Sequence, residues 1–331
     1  MSLYLHSIGV FHPENKIDNK FLEDLDINTT NQWILERVGI SSRRTVLPLD
    51  YIKHTKNIDP RMANEAACYT NAETARIAAE TAISKLAINK NRIGMIIAGG
   101  CSFQYMCPSF ACIVANQLNI EALCMDINSA CTSLVAQIYF LSQMSHEILP
   151  EYILLVLTEN TTRVVNYQDR NTAVLWGDGS TAIILSSHVK SRFCINNCVF
   201  NTNPNNWDKV VIPVYGYFNQ DGSAVQTFAI KKHIDTIRVI RSRIQSKANI
   251  KFIGHQGNLI MLESIAKRAG IPTSLHYYNV NKFGNCGAAG APSVLAEQLN
   301  ALDNGDQIIL AVAGAGLSWG GFCIDVLDNA T

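Results

Sequence analysis

Apolar residues recur along the chain in two alternating patterns. Residues 71 to 87 (NAETARIAAETAISKLA) place Ala, Ile and Leu three and four apart, the spacing of one buried helix face. Ile93 to Gly100 (IGMIIAGG) is instead a short unbroken apolar run ending in glycines, as a strand covered on both sides should be. Leu123 to Ile127 reads as a second strand, Cys131 to Met144 (CTSLVAQIYFLSQM) as an apolar helix and Tyr152 to Leu157 (YILLVL) as another buried strand. The order then repeats, with a helix around Thr236 to Gln245, the strand Lys251 to Gly254 and strand-like Leu275 to Val280. A small-residue helix from Ala288 to Leu299 and the strand Gln307 to Ala313 (QIILAVA) complete the second pass. Corresponding elements lie about 155 positions apart, as Tyr152 and Gln307 do, which reads as a duplicated α/β unit.

Buried strands alternating with helices predict mixed or parallel sheets covered by helices. The expected halves are residues 1–171, carrying Cys131, and 172–331, carrying His255 and Asn285. No Pro-, Gly- or Ser-rich linker separates them, so an active site at their shared interface is expected.

Composition narrows the function. Hydrophobic residues make up 48% of the 331, ample for a core, while charged residues are 16% and the formal net charge is zero. No basic field is available to hold nucleic acid or an anionic membrane. The opening MSLYLHSIGVFHPENKID has no basic stretch ahead of an apolar one, and no run approaches the roughly 18 apolar residues of a spanning helix. A cytoplasmic protein without membrane insertion is expected. Ten cysteines, mostly in apolar stretches, look like buried thiols of a reducing compartment. Cys194 and Cys198 form a C-x3-C pair with no partners at zinc-ligand spacing, so no metal site is expected.

In DINSACTSLVAQIYF a strand ends near Ile127, small and polar residues turn the chain, and a helix starts at or just after Cys131. The positive end of a helix favours thiolate over thiol, which suits a nucleophile. On this segment alone, Cys131 reads as well or better as one more buried thiol among ten. Two further segments change the weighting. FIGHQGNLIML places His255 and Asn258 directly after a strand, and NKFGNCGAAGAP places Asn285 in a glycine-rich turn before a small-residue helix.

At these segments the chain resembles the ketoacyl synthase III family of the thiolase superfamily. The family's marks appear in order as Ala130-Cys131, His255-Gln256-Gly257-Asn258 and Gly284-Asn285; NQWILERVGI, Arg43-Arg44, WGDGST and AGAGLSWG fit as well. The resemblance implies a thiolase-like α/β fold whose duplicated halves form five αβαβα layers. It also implies that Cys131 takes an acyl group from acyl-CoA and that His255 and Asn285 assist a decarboxylative Claisen condensation with a malonyl thioester, giving a β-ketoacyl thioester. The backbone N–H groups of Cys131 and Ala315 would form the oxyanion hole. Trp33, Arg37 and Arg163 would contact coenzyme A, and Asn258 its pantetheine. Coenzyme A is then a substrate, no cofactor is needed, and the implied partners are a malonyl thioester, on acyl carrier protein or not, and a second copy of the chain.

Two departures from the family's pattern qualify this. Ile260 stands where an arginine of the carrier-protein docking surface is usual, while Lys267 and Arg268 keep a basic pair beyond it. Cys107 replaces a bulky aromatic that crosses the dimer interface and closes the acyl pocket, implying an acyl group longer than acetyl. The alternative reading is an acyltransferase, or a head-to-head condensing or cyclising synthase, that uses the same acyl-enzyme.

Overall fold

The computed structural model describes residues 2–244 and 250–328. Ten strands hydrogen-bond in a single order that divides into two sets of five. The first set comprises β1 (Leu3–Phe11), β2 (Ile93–Gly99), β3 (Leu123–Asp126), β4 (Tyr152–Glu159) and β5 (Gly179–Ser186), ordered β3-β2-β4-β5-β1. The second comprises β6 (Phe193–Thr202), β7 (Ile250–Gly254), β8 (His276–Tyr277), β9 (Gln307–Gly314) and β10 (Ser318–Val326), ordered β8-β7-β9-β10-β6. In both sets the first three strands of that order are parallel and the last two antiparallel. The sets meet where β1 pairs antiparallel with β6, from Leu3 opposite Ile195 to Leu5 opposite Phe193. The duplication expected from the repeat is therefore complete, strand for strand.

The division falls elsewhere than expected. β5 lies between β1 and β4, inside the first set, so the halves part between Ser186 and Phe193 rather than at residues 171 and 172.

Seven helices cover and separate the strands: α1 (Asn31–Val38), α2 (Asn71–Leu86), α3 (Phe110–Leu118), α4 (Ser133–Ser142), α5 (Gly222–Arg243), α6 (Leu259–Arg268) and α7 (Gly287–Gln298). α2 starts on a capping box between Thr70 and Glu73 and buries Ala75, Ala78, Ala79 and Ala82, small side chains that let it lie close on β1 and β5. With α3 it forms one outer layer over β2, β4 and β5. α5 and α6 form the other, over β7 and β9. α4 and α7 lie between the two sets and share one core with both. α7 is buried along its first nine residues, GAAGAPSVL, because it has a sheet on either side. These are the five layers of a thiolase-like α/β fold.

Three element boundaries differ from the sequence reading. The helix expected at Cys131 begins at Ser133, after a 3-10 turn over Ala130–Thr132. The strand expected over Leu275 to Val280 is only His276–Tyr277, followed by a helical turn at Val280–Phe283. The helix expected around Thr236 to Gln245 starts at Gly222, and Gln245 lies outside the described residues. A separate apolar cluster, including Ile17, Leu22, Ile34 and Ile52 with Trp176 and Phe218, docks α1 beside the site. Among the described residues no helix is long and apolar enough to cross a membrane.

Candidate active site

Cys131 lies in the 3-10 turn between β3 and α4. Ala130 takes a left-handed φ of 47°, a conformation that costs a non-glycine residue on the order of 1–3 kcal/mol. Hydrogen bonds from both halves hold it there. Ala130 N–H donates to Asn128 Oδ1 at 2.8 Å, Ser133 Oγ to the Ala130 carbonyl at 2.7 Å, and Thr132 Oγ1 lies 2.7 Å from Ser318 Oγ of β10.

β9 ends against Cys131 at Gly314, where a Cβ would come within 2.7 Å of Cys131 Cβ. Glycine permits this approach and sets the N–H of the next residue, Ala315, toward the sulfur. That N–H and the one of Cys131 itself both lower the thiol's pKa. Burial, and then the charge of Glu159, outweigh them and push the thiol up to about 12. The thiolate expected from the helix start is thus not the resting state: the thiol is desolvated and the helix begins two residues later. The left-handed residue of the AGAG turn is Gly316, with φ 123°, so alanine at 315 supplies its N–H without strain.

His255 follows β7 and is buried. Its backbone N–H donates to His233 Nε2 at 3.3 Å, and His233 Nδ1 lies 2.7 Å from the Ala229 carbonyl of α5. Burial, and secondarily His233, bring His255 down to about 3, so the ring is neutral, and its Nδ1 is buried without a partner among the described residues. Asn285 is held on three sides: its N–H donates to the Leu175 carbonyl at 2.9 Å, its carbonyl accepts from Gly177 at 3.1 Å, and its Oδ1 accepts from Gly287 N–H at 3.0 Å. The amide nitrogen is left to donate. Asn258 caps α6, accepting from Met261 N–H at 2.7 Å. Gln256 of the same segment is structural, bonding Gly254, Asn279 and Val280.

A cavity of about 1030 Å³ brings Cys131, His255, Asn258, Asn285 and Ala315 together with Trp33 and Arg37. A second, of about 440 Å³, opens from Cys131 and Ala315 and is walled by Cys101, Val211, Ile212 and Phe218.

One expected site residue is elsewhere. Arg163 is 3% exposed and lines neither cavity. Its guanidinium donates to Asn64 at 2.6 Å, to the carbonyls of Ser102 at 2.5 Å and Asn160 at 3.2 Å, and to Asn71, so four of its five N–H donors are taken up inside the fold. Arg170, which also lines neither cavity, lies over Trp33, its guanidinium 4.8 Å from the ring, with Arg37 at 6.0 Å. Its neighbours Asp169 and Asn171 line the larger cavity. Cys107 is exposed and lines neither cavity within this chain. Sequence reasoning also passed over Glu159, a buried carboxyl beside Cys131, because an acidic residue closing an apolar strand ordinarily marks its solvated end.

Two duplicated α/β halves meeting over a buried cysteine, a neutral histidine and an asparagine define a thiolase-fold acyltransferase. The chain matches the 3-oxoacyl-[acyl-carrier-protein (ACP)] synthase III family over residues 125–204 and that family's C-terminal region over residues 241–326. It is 28% identical over 330 residues to a beta-ketoacyl-[acyl-carrier-protein] synthase III of Coxiella burnetii, covering 96% of this chain and 97% of the relative. A Clostridium perfringens protein of the same name is 29% identical over 336 residues, covering 94% and 95%. The crystal structure of the 3-oxoacyl-[acyl-carrier-protein] synthase III from Aquifex aeolicus superposes with a TM-score of 0.86 at 24% identity, over 98% of this chain and 99% of that one. The chain belongs to the 3-oxoacyl-[acyl-carrier-protein] synthase III family.

Proposed function

We propose that this chain loads an acyl group from acyl-CoA onto Cys131 and condenses it, with loss of carbon dioxide, onto a malonyl thioester. The observation that carries the reading is the convergence of Cys131, His255 and Asn285 on one cavity, with His255 neutral and Asn285 Nδ2 free to donate. In the first half-reaction the Cys131 sulfur attacks the thioester carbonyl. The oxyanion accepts from Cys131 and Ala315 N–H, and its collapse expels coenzyme A, which takes up the proton the Cys131 thiol gives up and departs as the free thiol. In the second, the C–C bond to the malonyl carboxylate breaks and its electron pair enters an enolate whose oxygen accepts from His255 and Asn285. The enolate carbon then attacks the acyl-Cys131 carbonyl, and the cysteine sulfur leaves as a thiolate that takes up a proton from water to restore the resting thiol. Decarboxylation supplies the carbanion, so two neutral donors suffice and no cofactor enters.

The larger cavity is the route of coenzyme A in this reading. Trp33 with Arg170 offers a flat cationic clamp for an adenine, Arg37 a phosphate contact and Asn258 a pantetheine contact. The smaller cavity takes the acyl chain, and its apolar wall supports a group longer than acetyl. A homodimer is part of the proposal, through the edge strand β3, where Leu123 is exposed and Tyr105 and Met106 of the neighbouring loop are exposed too. Ile260 is exposed at the start of α6 and Lys267 and Arg268 at its end, a surface whose reduced charge weakens docking of an acidic carrier protein.

Intact-mass measurement after mixing with acyl-CoAs of increasing length tests the loading step. An adduct that is lost in Cys131→Ala is expected. An adduct that persists in the variant, or none with any donor, would contradict the proposal.

A further inference from the structure

Glu159, the last residue of β4, is fully buried between the two halves. Its Oε1 accepts the N–H of Ala288 at 3.2 Å, in the first turn of α7 and three residues beyond Asn285. Its Oε2 accepts the N–H of Cys101 at 3.1 Å and lies 3.2 Å from the Cys101 sulfur. The hydroxyls of Ser102 and Thr161 stand 3.4 Å away. Gly287 is left-handed with φ 49°, and a Cβ there would lie 2.6 Å from Oε1, so only glycine lets the helix start approach the carboxyl.

No lysine, arginine or histidine pairs with Glu159 among the described residues. The titratable groups that feel its charge are the thiols of Cys101 in the loop after β2, Cys131 in the turn before α4 and Cys286 before α7; Asp178 also faces Cys286. A buried carboxyl without a cation is costly, and the fold keeps it.

We propose that Glu159 is a positioning residue that clamps the two halves of the site together, one oxygen holding the Cys101 wall of the acyl cavity and the other the turn from Asn285 into α7. Its charge has a second effect. Cys101, whose sulfur lies 3.2 Å from the carboxyl, lines the same small cavity as Cys131, so the carboxylate adds to burial in disfavouring a second anion on Cys131. The clamp on Asn285 rests on the condensation reading above, whereas the effect on the thiol does not.

Glu159→Gln keeps the volume, removes the charge and leaves an amide donor facing one of the two N–H groups. Alkylation of Cys131 by iodoacetamide, followed by mass spectrometry from about pH 6 to about pH 10, is expected to shift in E159Q toward lower pH by about one unit. With octanoyl-CoA and malonyl-CoA as probes, the ratio of condensation to acylation is expected to fall about tenfold or more. Glu159→Asp keeps the charge but not the reach, so its alkylation profile should follow the wild type while the ratio falls. Gly287→Ala, which presses on the same carboxyl from the other side, should lower that ratio too and serves if E159Q folds poorly. An E159Q alkylation profile superimposed on the wild type, or acylation and condensation falling by one common factor, would overturn the proposal. An alkylation shift in a protein that condenses nothing even as wild type would strike the condensation reading and leave the charge effect standing.

Discussion

Asn285 Oδ1 accepts the N–H of Gly287 at 3.0 Å, and this bond decides which way the amide faces. With the oxygen occupied by the start of α7, the nitrogen is the atom presented to the cavity. Asn285→Asp keeps the acceptor for Gly287 and removes the donor. Condensation is expected to fall on the order of 100-fold or more while acylation of Cys131 stays within a few-fold of the wild type. The two half-reactions, timed separately by mass spectrometry, check this; equal losses in both would not fit.

The neutral state of His255 has a kinetic consequence. Its pKa is brought to about 3 by burial, so the ring does not change charge anywhere near the usual histidine range. The pH profile for decarboxylation of the malonyl thioester is therefore expected to show no inflection near about 6.5, the unperturbed histidine value. A limb at that pH, absent from His255→Gln, would contradict the assignment.

Stability should fall in mild acid. His12, His233 and His276 are brought to about 4 and His255 to about 3, each by burial. Folded pKa values below the unfolded one mean that, from roughly pH 6.5 downward, the unfolded chain binds more protons. The contribution of these rings is thus fully present above that pH and is lost as pH falls. Asp178, raised by burial to about 6, and Glu159, raised likewise, act in the opposite sense, but these four rings, joined by His6, which burial also lowers, outnumber two carboxyls. Urea midpoints at about pH 7.5 and about pH 5 are expected to drop at the lower pH, and His255→Gln to reduce the drop.

The two arginines of the 160–170 segment should separate cleanly. Arg170→Ala is expected to raise KM for acyl-CoA about tenfold with kcat little changed, the mark of lost ground-state binding. Arg163→Ala instead strips partners from Asn71, Asn64 and the Ser102 carbonyl and should cost about 2–4 kcal/mol of stability, read as a lowered Tm, with KM in the surviving protein near normal.

What the sequence disclosed depended on whether a side chain's environment is local. α2, β4 and β9 were legible because an alanine stripe and unbroken apolar runs are local signals. β6 (FCINNCVFNT) was not, since its asparagines break any apolar run, and β8 is too short at His276–Tyr277 to leave a pattern. Cys131, His255 and Asn285 were found through motifs at strand-to-helix junctions, and one cavity contains all three. Arg163 and Arg170 are indistinguishable by residue type. Only packing tells that the first turns into the carbonyls around Asn160 and Ser102 while the second lies over Trp33. Glu159 was overlooked for the same reason: the two N–H groups that hold it come from Cys101 and Ala288, 58 and 129 residues away along the chain. The domain boundary slipped because β5 returns to the first sheet after the segment that looks like the start of the second half.

The central claim, that acyl-Cys131 is condensed and not merely transferred, is tested most directly by a single-turnover chase. Protein acylated on Cys131 and freed of excess donor is mixed with a malonyl thioester, and the loss of the adduct is followed together with carbon dioxide release. The account predicts that the adduct disappears in step with decarboxylation, giving a β-ketoacyl thioester two carbons longer than the loaded chain. An adduct that leaves only as free acid or as an unextended ester or amide, with no carbon dioxide evolved, would contradict it.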